Sequence, residues 1–219
     1  VSFSVYGDNP KYFTRVVEHV HNMVHVYPGW TARVYVHDKS PATFIQLLVK
    51  SGAHVVIVHD SQARPGNSAG AFWRFLPMVE PNTSVFVRDS DDALERYKDI
   101  VFDSMPGHKC FGGLWVSPYL QTYVRASTVL KKSNCPPPFA AHDLYNFPIR
   151  TPYGADEYFL ATQVHVPQGK RAIMHLSPLS QLGWYFAQNK TLHCPGAVWY
   201  FSSAGTAVLA VLSGILCVF

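Results

Sequence analysis

Four stretches suited to β-strands, VSFSVY, TARVYVHD, AHVVIVHD and SVFVR, alternate with stretches suited to helices up to Arg88, and this alternation constrains the fold more than any other feature. From Lys11 to His25 the apolar residues recur at helical spacing. Val17, Val20 and Val24 share a face with Val16 and Met23 beside them, while Glu18, His21 and Asn22 point away. A second helix is predicted after Ser40, which is placed to cap it, with Pro41 at its first position. Phe44, Leu47 and Leu48 form its expected buried stripe, and Gly52 its stop. AFWRFLPMV reads as a third, short helix. The run AHVVIVHD is almost continuously apolar, as in a strand covered on both faces. Strand–helix alternation of this kind predicts an α/β domain with a mostly parallel central sheet and helices on both sides. Ligands of such sheets gather at the carboxyl ends of the strands. Asp38, Asp60 and Asp89 all fall at or just after such ends.

Beyond Leu94 the alternation weakens. Residues 95–104 read as helical, KCFGGLWV as a strand with a glycine kink, and GADEYFLATQV as a helix. Residues 134–153, with Pro136, Pro137, Pro138, Pro148 and Pro152, read as loop. The 219 residues suffice for one substantial core, and 48% hydrophobic with 15% charged residues is the composition of a globular chain. A net charge of +4 without a basic run argues against nucleic acid and suits an anionic small ligand. Cys110, Cys135, Cys194 and Cys217 include no C-x-x-C pair, so one disulfide is possible and its pairing is open. The sequons at Asn82 and Asn189 fit a secretory route, although Asn82 also suits a tight turn. Ala197–Phe219 carries no charged side chain and is long enough to span a bilayer, so it reads as a possible transmembrane or anchor segment, or as a buried terminal helix. His21 and His25 have a spacing that can bind zinc, but Asn22 stands where a metalloprotease has Glu, and a solvated helix face is the expectation.

The chemistry concentrates in VFVRDSDDAL, where Asp89, Asp91 and Asp92 follow the fourth strand within four positions. Two carboxylates at ~5 Å in a medium of dielectric ~20 repel by about 3 kcal/mol, so something must compensate them. Side chains of an extended stretch alternate, which puts Asp89 and Asp91 on one face. Two such carboxylates suit an oxygen-loving divalent cation that also accepts phosphate oxygens and stabilises a diphosphate leaving group. An EF-hand loop needs an oxygen ligand where Ala93 stands. A haloacid-dehalogenase-type phosphatase would use Asp89 as nucleophile with Asp91 two on, but that motif belongs on a first strand. An exposed acidic turn is the remaining alternative.

The stretch FWRFLPMVEPNTSVFVRDSDDAL resembles the segment preceding the D-x-D motif in glycosyltransferases of the A-type fold, including glycogenin-like enzymes and small sugar-transferase-like proteins. An aromatic-x-Arg-hydrophobic-hydrophobic-Pro helix leads there into a strand ending in D-x-D, matched here by Arg74, Pro77 and Asp89-Ser90-Asp91. FGGLWV and YGADEYFL stand where such sequences carry a glycine-rich strand and an acidic helix start. The resemblance implies a single Rossmann-like nucleotide-diphospho-sugar transferase domain over residues 1–195, with a donor half (1–94) and an acceptor half (95–195). It implies Mn²⁺ or Mg²⁺ as cofactor, a nucleotide diphosphate sugar (a UDP-sugar favoured) as donor, and hexose transfer to a glycan, protein or lipid acceptor. By the same resemblance Asp89, Asp91 and His175 would hold the metal. Tyr6, Arg74, Ser90, Gly112 and Gly113 would contact the donor. Asp156 and Glu157 would act in catalysis. The His-Gly-Lys-Pro-Trp pattern of glycogenin-like enzymes is missing around His175. A sugar-nucleotide- or glycan-binding domain without turnover is the non-enzymatic alternative. An endomembrane (Golgi or ER) or membrane-anchored location follows if the apolar tail is an anchor, and a cytoplasmic one if it is not.

Overall fold

The computed structural model describes residues 1–95, 110–115, 125–165, 172–176 and 198–201. Its strands are β1 (Ser2–Val5), β2 (Arg33–His37), β3 (His54–Val58), β4 (Val85–Val87), β5 (Phe111–Trp115), β6 (Arg125–Lys131), β7 (Ala172–Leu176) and β8 (Val198–Phe201). They form one sheet in the order β3-β2-β1-β4-β6-β5-β7-β8. β3, β2, β1 and β4 run parallel, β6 runs antiparallel to both β4 and β5, and β7 and β8 run parallel to β5. The sheet is therefore mostly parallel with one reversed strand in its interior.

The two-residue period of β1 decides which layer meets which face. Phe3 and Val5 join Val34 and Val36 of β2 in a cluster under helix α1 (Pro10–Val26) and helix α2 (Ala42–Lys50). Ser2 and Ser4 alternate with them in sequence and face the other way. The Ser2 hydroxyl donates to the Arg74 carbonyl at 2.7 Å, tying β1 to the Ala69–Val79 segment on the opposite face. That segment winds as 3₁₀ turns, with Pro77 inside it and Phe72, Phe75 and Met78 in a second apolar cluster with Val85, Val87, Phe111 and Phe159. A regular α-helix has no place for the Pro77 ring, and the tighter winding accommodates it.

Several details differ from the sequence expectation. Helix α2 begins at Ala42, with Pro41 at the cap position, and the Ser40 hydroxyl is buried with no hydrogen-bond partner among the described residues. Gly52 ends α2 in the left-handed region, as expected. Leu47 and Val24 are exposed, because α1 and α2 bury a narrower stripe centred on Val16, Val20 and Met23, and on Phe44 and Leu48. Within the expected loop, Ala141–Asn146 forms a helical turn and a half, α3. Asp143 accepts from the Ala140 backbone N–H at 2.8 Å and holds it closed. GADEYFLATQV is helical, with α4 (Ala155–Phe159) passing into π-type turns over Leu160–His165.

The apolar C-terminal stretch does not begin as a membrane-spanning helix. Val198–Phe201 is strand β8, in register with Ile173–Leu176 of β7. Its Val-Trp-Tyr-Phe composition suits a strand on a pleated surface. Among the described residues no helix is long and apolar enough to cross a membrane, and residues 202–219 lie outside them, as do residues 96–104. Cys110 and Cys135 form a disulfide that ties the start of β5 to the end of β6.

Candidate active site

The chain leaves β1 to one side through β2 and β3, then returns to place β4 on the other side of β1. This reversal of strand order opens a crevice at the carboxyl ends of β1 and β4. A cleft of about 970 Å³ lies there. Its walls come from residues 6–9 after β1, from residues 89–91 after β4, from residues 65–68, and from Tyr153, Gly154, Asp156 and Glu157 at the start of α4.

The acidic turn is compensated residue by residue from within the protein. Arg74 of the 3₁₀ segment ion-pairs through Nη1 with Asp89 and through Nη2 with Asp156 at 2.7 Å. Lys11 in the first turn of α1 reaches Asp91 at 3.1 Å. Arg88 turns back beneath the loop, 4.0 Å from Asp92, and donates to the Ala93 carbonyl. Arg88 and Asp92 are both buried, so the last strand residue and the third carboxylate form an internal support. The repulsion implied by the sequence is thus met by three cations placed by three different elements.

Arg74 is itself buried. Burial opposes its charge, but the carboxylates of Asp89 and Asp156 outweigh that cost and keep the guanidinium protonated. Burial pushes the Asp156 carboxyl above the usual carboxylate range. Arg74 works against this shift and the charge of Asp89 adds to it. Gly154, in the left-handed region, starts the helix that carries Asp156 and Glu157 to the cleft.

Tyr6 lines the cleft with its hydroxyl already committed. It donates to the Asn67 carbonyl at 2.7 Å. The ring lies against Gly70, where an ideal Cβ would come within 2.4 Å of ring carbons. Burial, and then the nearby Asp156, raises the phenol above its ordinary pKa, so it stays neutral.

Of the residues expected from sequence, Tyr6, Arg74, Asp89, Ser90, Asp91, Asp156 and Glu157 all line this one cleft. Gly112 and Gly113 lie on β5 opposite Ile173 and Met174, where pairing with β6 becomes irregular, and are not among the described lining residues. His175 lies on β7, opposite Leu114 and Tyr200. Its side chain lies outside the description. Among the described residues no group of three or more His, Cys, Asp or Glu side chains is placed to hold a metal, which leaves His21 and His25 on an exposed helix face. Trp73 is core, its indole N–H donating to Asp60 at 3.1 Å. Sequence reading missed Lys11, Arg88, Asn67 and Tyr153. Only Arg88 carried a signal, as a cation abutting three acids.

The crystal structure of an active-site mutant of LgtC, a glycosyltransferase, matches this chain with a TM-score of 0.51 at 10% identity, covering 87% of this chain and 79% of that one. The fold is glycosyltransferase-like. The likeness does not extend to glycogenin-like enzymes in particular. No family model matches the sequence, and no curated protein does.

Proposed function

We propose that the chain is a glycosyltransferase that takes a hexose from a nucleotide diphosphate sugar bound in the β1–β4 cleft. The observation that carries the reading is the convergence of Asp89, Asp91, Arg74 and Asp156 at the strand-order reversal of a glycosyltransferase-like sheet.

The lining chemistry supports a divalent cation as well. Asp8, Asp89, Asp91, Asp156 and Glu157 face the cleft, and among the described residues Arg74 and Lys11 offset only part of that charge. An anionic diphosphate is repelled by that wall unless a cation joins it. Two carboxylates completed by substrate phosphates are a common way to hold Mg²⁺, and Mn²⁺ takes the same oxygen ligands. Asp89 and Asp91 fit that donor set. Lys11, 61% exposed, can swing off Asp91 to free it. Bound there, the cation would supply charge stabilisation to the departing diphosphate.

The chain's own groups do the rest. Arg74 fixes the positions of Asp89 and Asp156 by holding both at once. The Tyr6 ring offers a flat, fixed wall for the base. In the transfer the acceptor oxygen bonds to C1 of the sugar. The C1–O bond to the diphosphate breaks with its electron pair going to the phosphate oxygen, and the acceptor proton passes to a carboxylate. Asp156, held toward its protonated form by burial, and Glu157 are the candidates to receive or return that proton.

The test is calorimetric titration of UDP, GDP and CMP, and of their sugars, with and without Mn²⁺. One nucleotide is expected to bind with the cation and to lose most of its affinity in Asp91→Asn, a substitution at a solvent-facing position. Binding by none of them, with or without cation, sinks the proposal. Cation-dependent binding with no transfer and no donor hydrolysis assigns the domain to binding alone.

A further inference from the structure

A second cavity, of about 610 Å³, adjoins the cleft, and Asn67 lines both. Gln62, Arg64, Tyr145, Asn146 and Arg150 line it, and no carboxylate is among its described lining residues. We propose that this cavity binds a pyranose ring of the acceptor. The inference rests on the glycosyl-transfer reading and adds the acceptor's chemical class and place.

The wall between the two cavities is built to stay fixed. The Asn67 side chain closes its own turn, donating to the Gln62 carbonyl at 2.8 Å and accepting from the Ala69 N–H at 3.1 Å. Its carbonyl takes the Tyr6 hydroxyl from the donor side. The far wall is anchored by Arg150, which is buried. It donates to Asp60 at 2.5 Å, to Gln62 Oε1 at 3.2 Å and to the Ala69 carbonyl at 3.2 Å. Burial works to raise the Asp60 carboxyl, but these bonds and that from Trp73 hold it below the usual range, so the pair stays charged. Thr151, next in the chain, accepts from the Ser68 N–H at 3.1 Å.

On this base sits Tyr145, its ring 5.6 Å from the Arg150 guanidinium and 42% exposed. An aromatic ring held from behind and open in front matches the apolar C–H face of a pyranose. The side-chain amide of Asn146, exposed beside it, has donors and an acceptor for ring hydroxyls. The Arg64 side chain is exposed, and no described residue pairs with its guanidinium. It supplies further donors for hydroxyl oxygens. The cleft holds carboxylates for proton and cation work, and this cavity holds an aromatic, amides and guanidinium. That division is what a polyanionic donor and a polyhydroxylated acceptor require.

The test uses the full chain and methyl glycosides of glucose, galactose and mannose, read by saturation-transfer NMR, with nucleoside diphosphate binding measured in parallel. At least one glycoside is expected to contact the wild type. Its affinity should fall about tenfold in Tyr145→Ala. It should return in Tyr145→Phe. Nucleotide affinity should be the same in wild type and Tyr145→Ala. The proposal is overturned if no glycoside contacts the wild type, or if a folded Tyr145→Ala binds as tightly as wild type. Failure of the donor reading shows separately, as glycoside binding without nucleotide binding.

Discussion

Replacing Arg74 by methionine removes the one cation shared by Asp89 and Asp156. The Arg74 side chain is 6% exposed, that of Asp156 10% and that of Asp89 24%. Breaking a buried ion pair by deleting one partner costs about 3–5 kcal/mol, because the other charge is left without compensation. Asp156 bears most of this cost. Asp89 is a quarter exposed and recruits water, so roughly 3–4 kcal/mol is expected. For a chain of this size each kcal/mol lowers Tm by about 2–4 °C, which predicts a fall of roughly 6–16 °C. The loss carries a sign in pH. The folded Asp156 carboxyl already sits above its unfolded value, so its contribution is present at acid pH and is lost as pH rises through the folded pKa. Without Arg74 the shift grows, and the defect should be small near pH 4 and widen toward ~pH 7. The double variant Arg74→Met/Asp156→Asn, with no buried charge at 156, should recover at least half of the loss. Thermal unfolding followed by circular dichroism across this pH range reads all three. A fall below ~2 °C, a double variant as unstable as the single, or a defect that widens at acid pH refutes the reasoning.

Gly70→Ala places a methyl group where the Tyr6 ring lies, so it should cost about 1–3 kcal/mol and weaken nucleotide binding, and Tyr6→Leu in the same chain should restore stability but not affinity. Equal stability and affinity in Gly70→Ala would falsify the close packing. Burial first, then the charges of Arg88 and Arg15, lowers the pKa of His19. The unfolded chain therefore takes a proton that the folded one refuses, and stability falls as pH drops through about 6.5. The Tm of wild type minus that of His19→Leu should fall as pH drops, and parallel curves count against this. The Cys110–Cys135 bond closes a loop with a sequence separation of 25, so Cys135→Ser should cost about 3.5 kcal/mol by chain entropy, read as a shift of the urea midpoint.

The parallel half was legible because its period changes cleanly between two and three to four. Phe3, Val5, Val34 and Val36 point to one cluster as alternation requires. The acidic turn was legible for the same reason, since a strand ending in carboxylates next to the first strand lands on the ligand edge. What sequence could not show was pairing across distance. Arg74 and Asp156 are 82 residues apart, and no local pattern joins them; only the resemblance drew attention to both. Strand β6, RASTVLK, went unread because its polar residues hide a strand that exists by pairing with β4 and β5. The disulfide partners were open for the same cause, as the β5–β6 register is what brings Cys110 and Cys135 together. Arg88 read as the end of a strand, whereas the turn folds its side chain inward beneath Asp92.

The shared guanidinium of Arg74 also bears on descent. Three positions from separate parts of the chain answer to one another through two ion pairs, and exchanging Arg74 alone takes from the buried Asp156 the cation that faces it. Change at position 74 is therefore tied to change at position 156, and selection for the fold alone would keep that pair whatever the cleft binds. In a descendant or cousin of this chain, Arg74, Asp89 and Asp156 together testify to an intact scaffold. Asp91, whose partner among the described residues is the exposed Lys11, carries no such constraint, so its loss would report on the ligand of the cleft rather than on the fold.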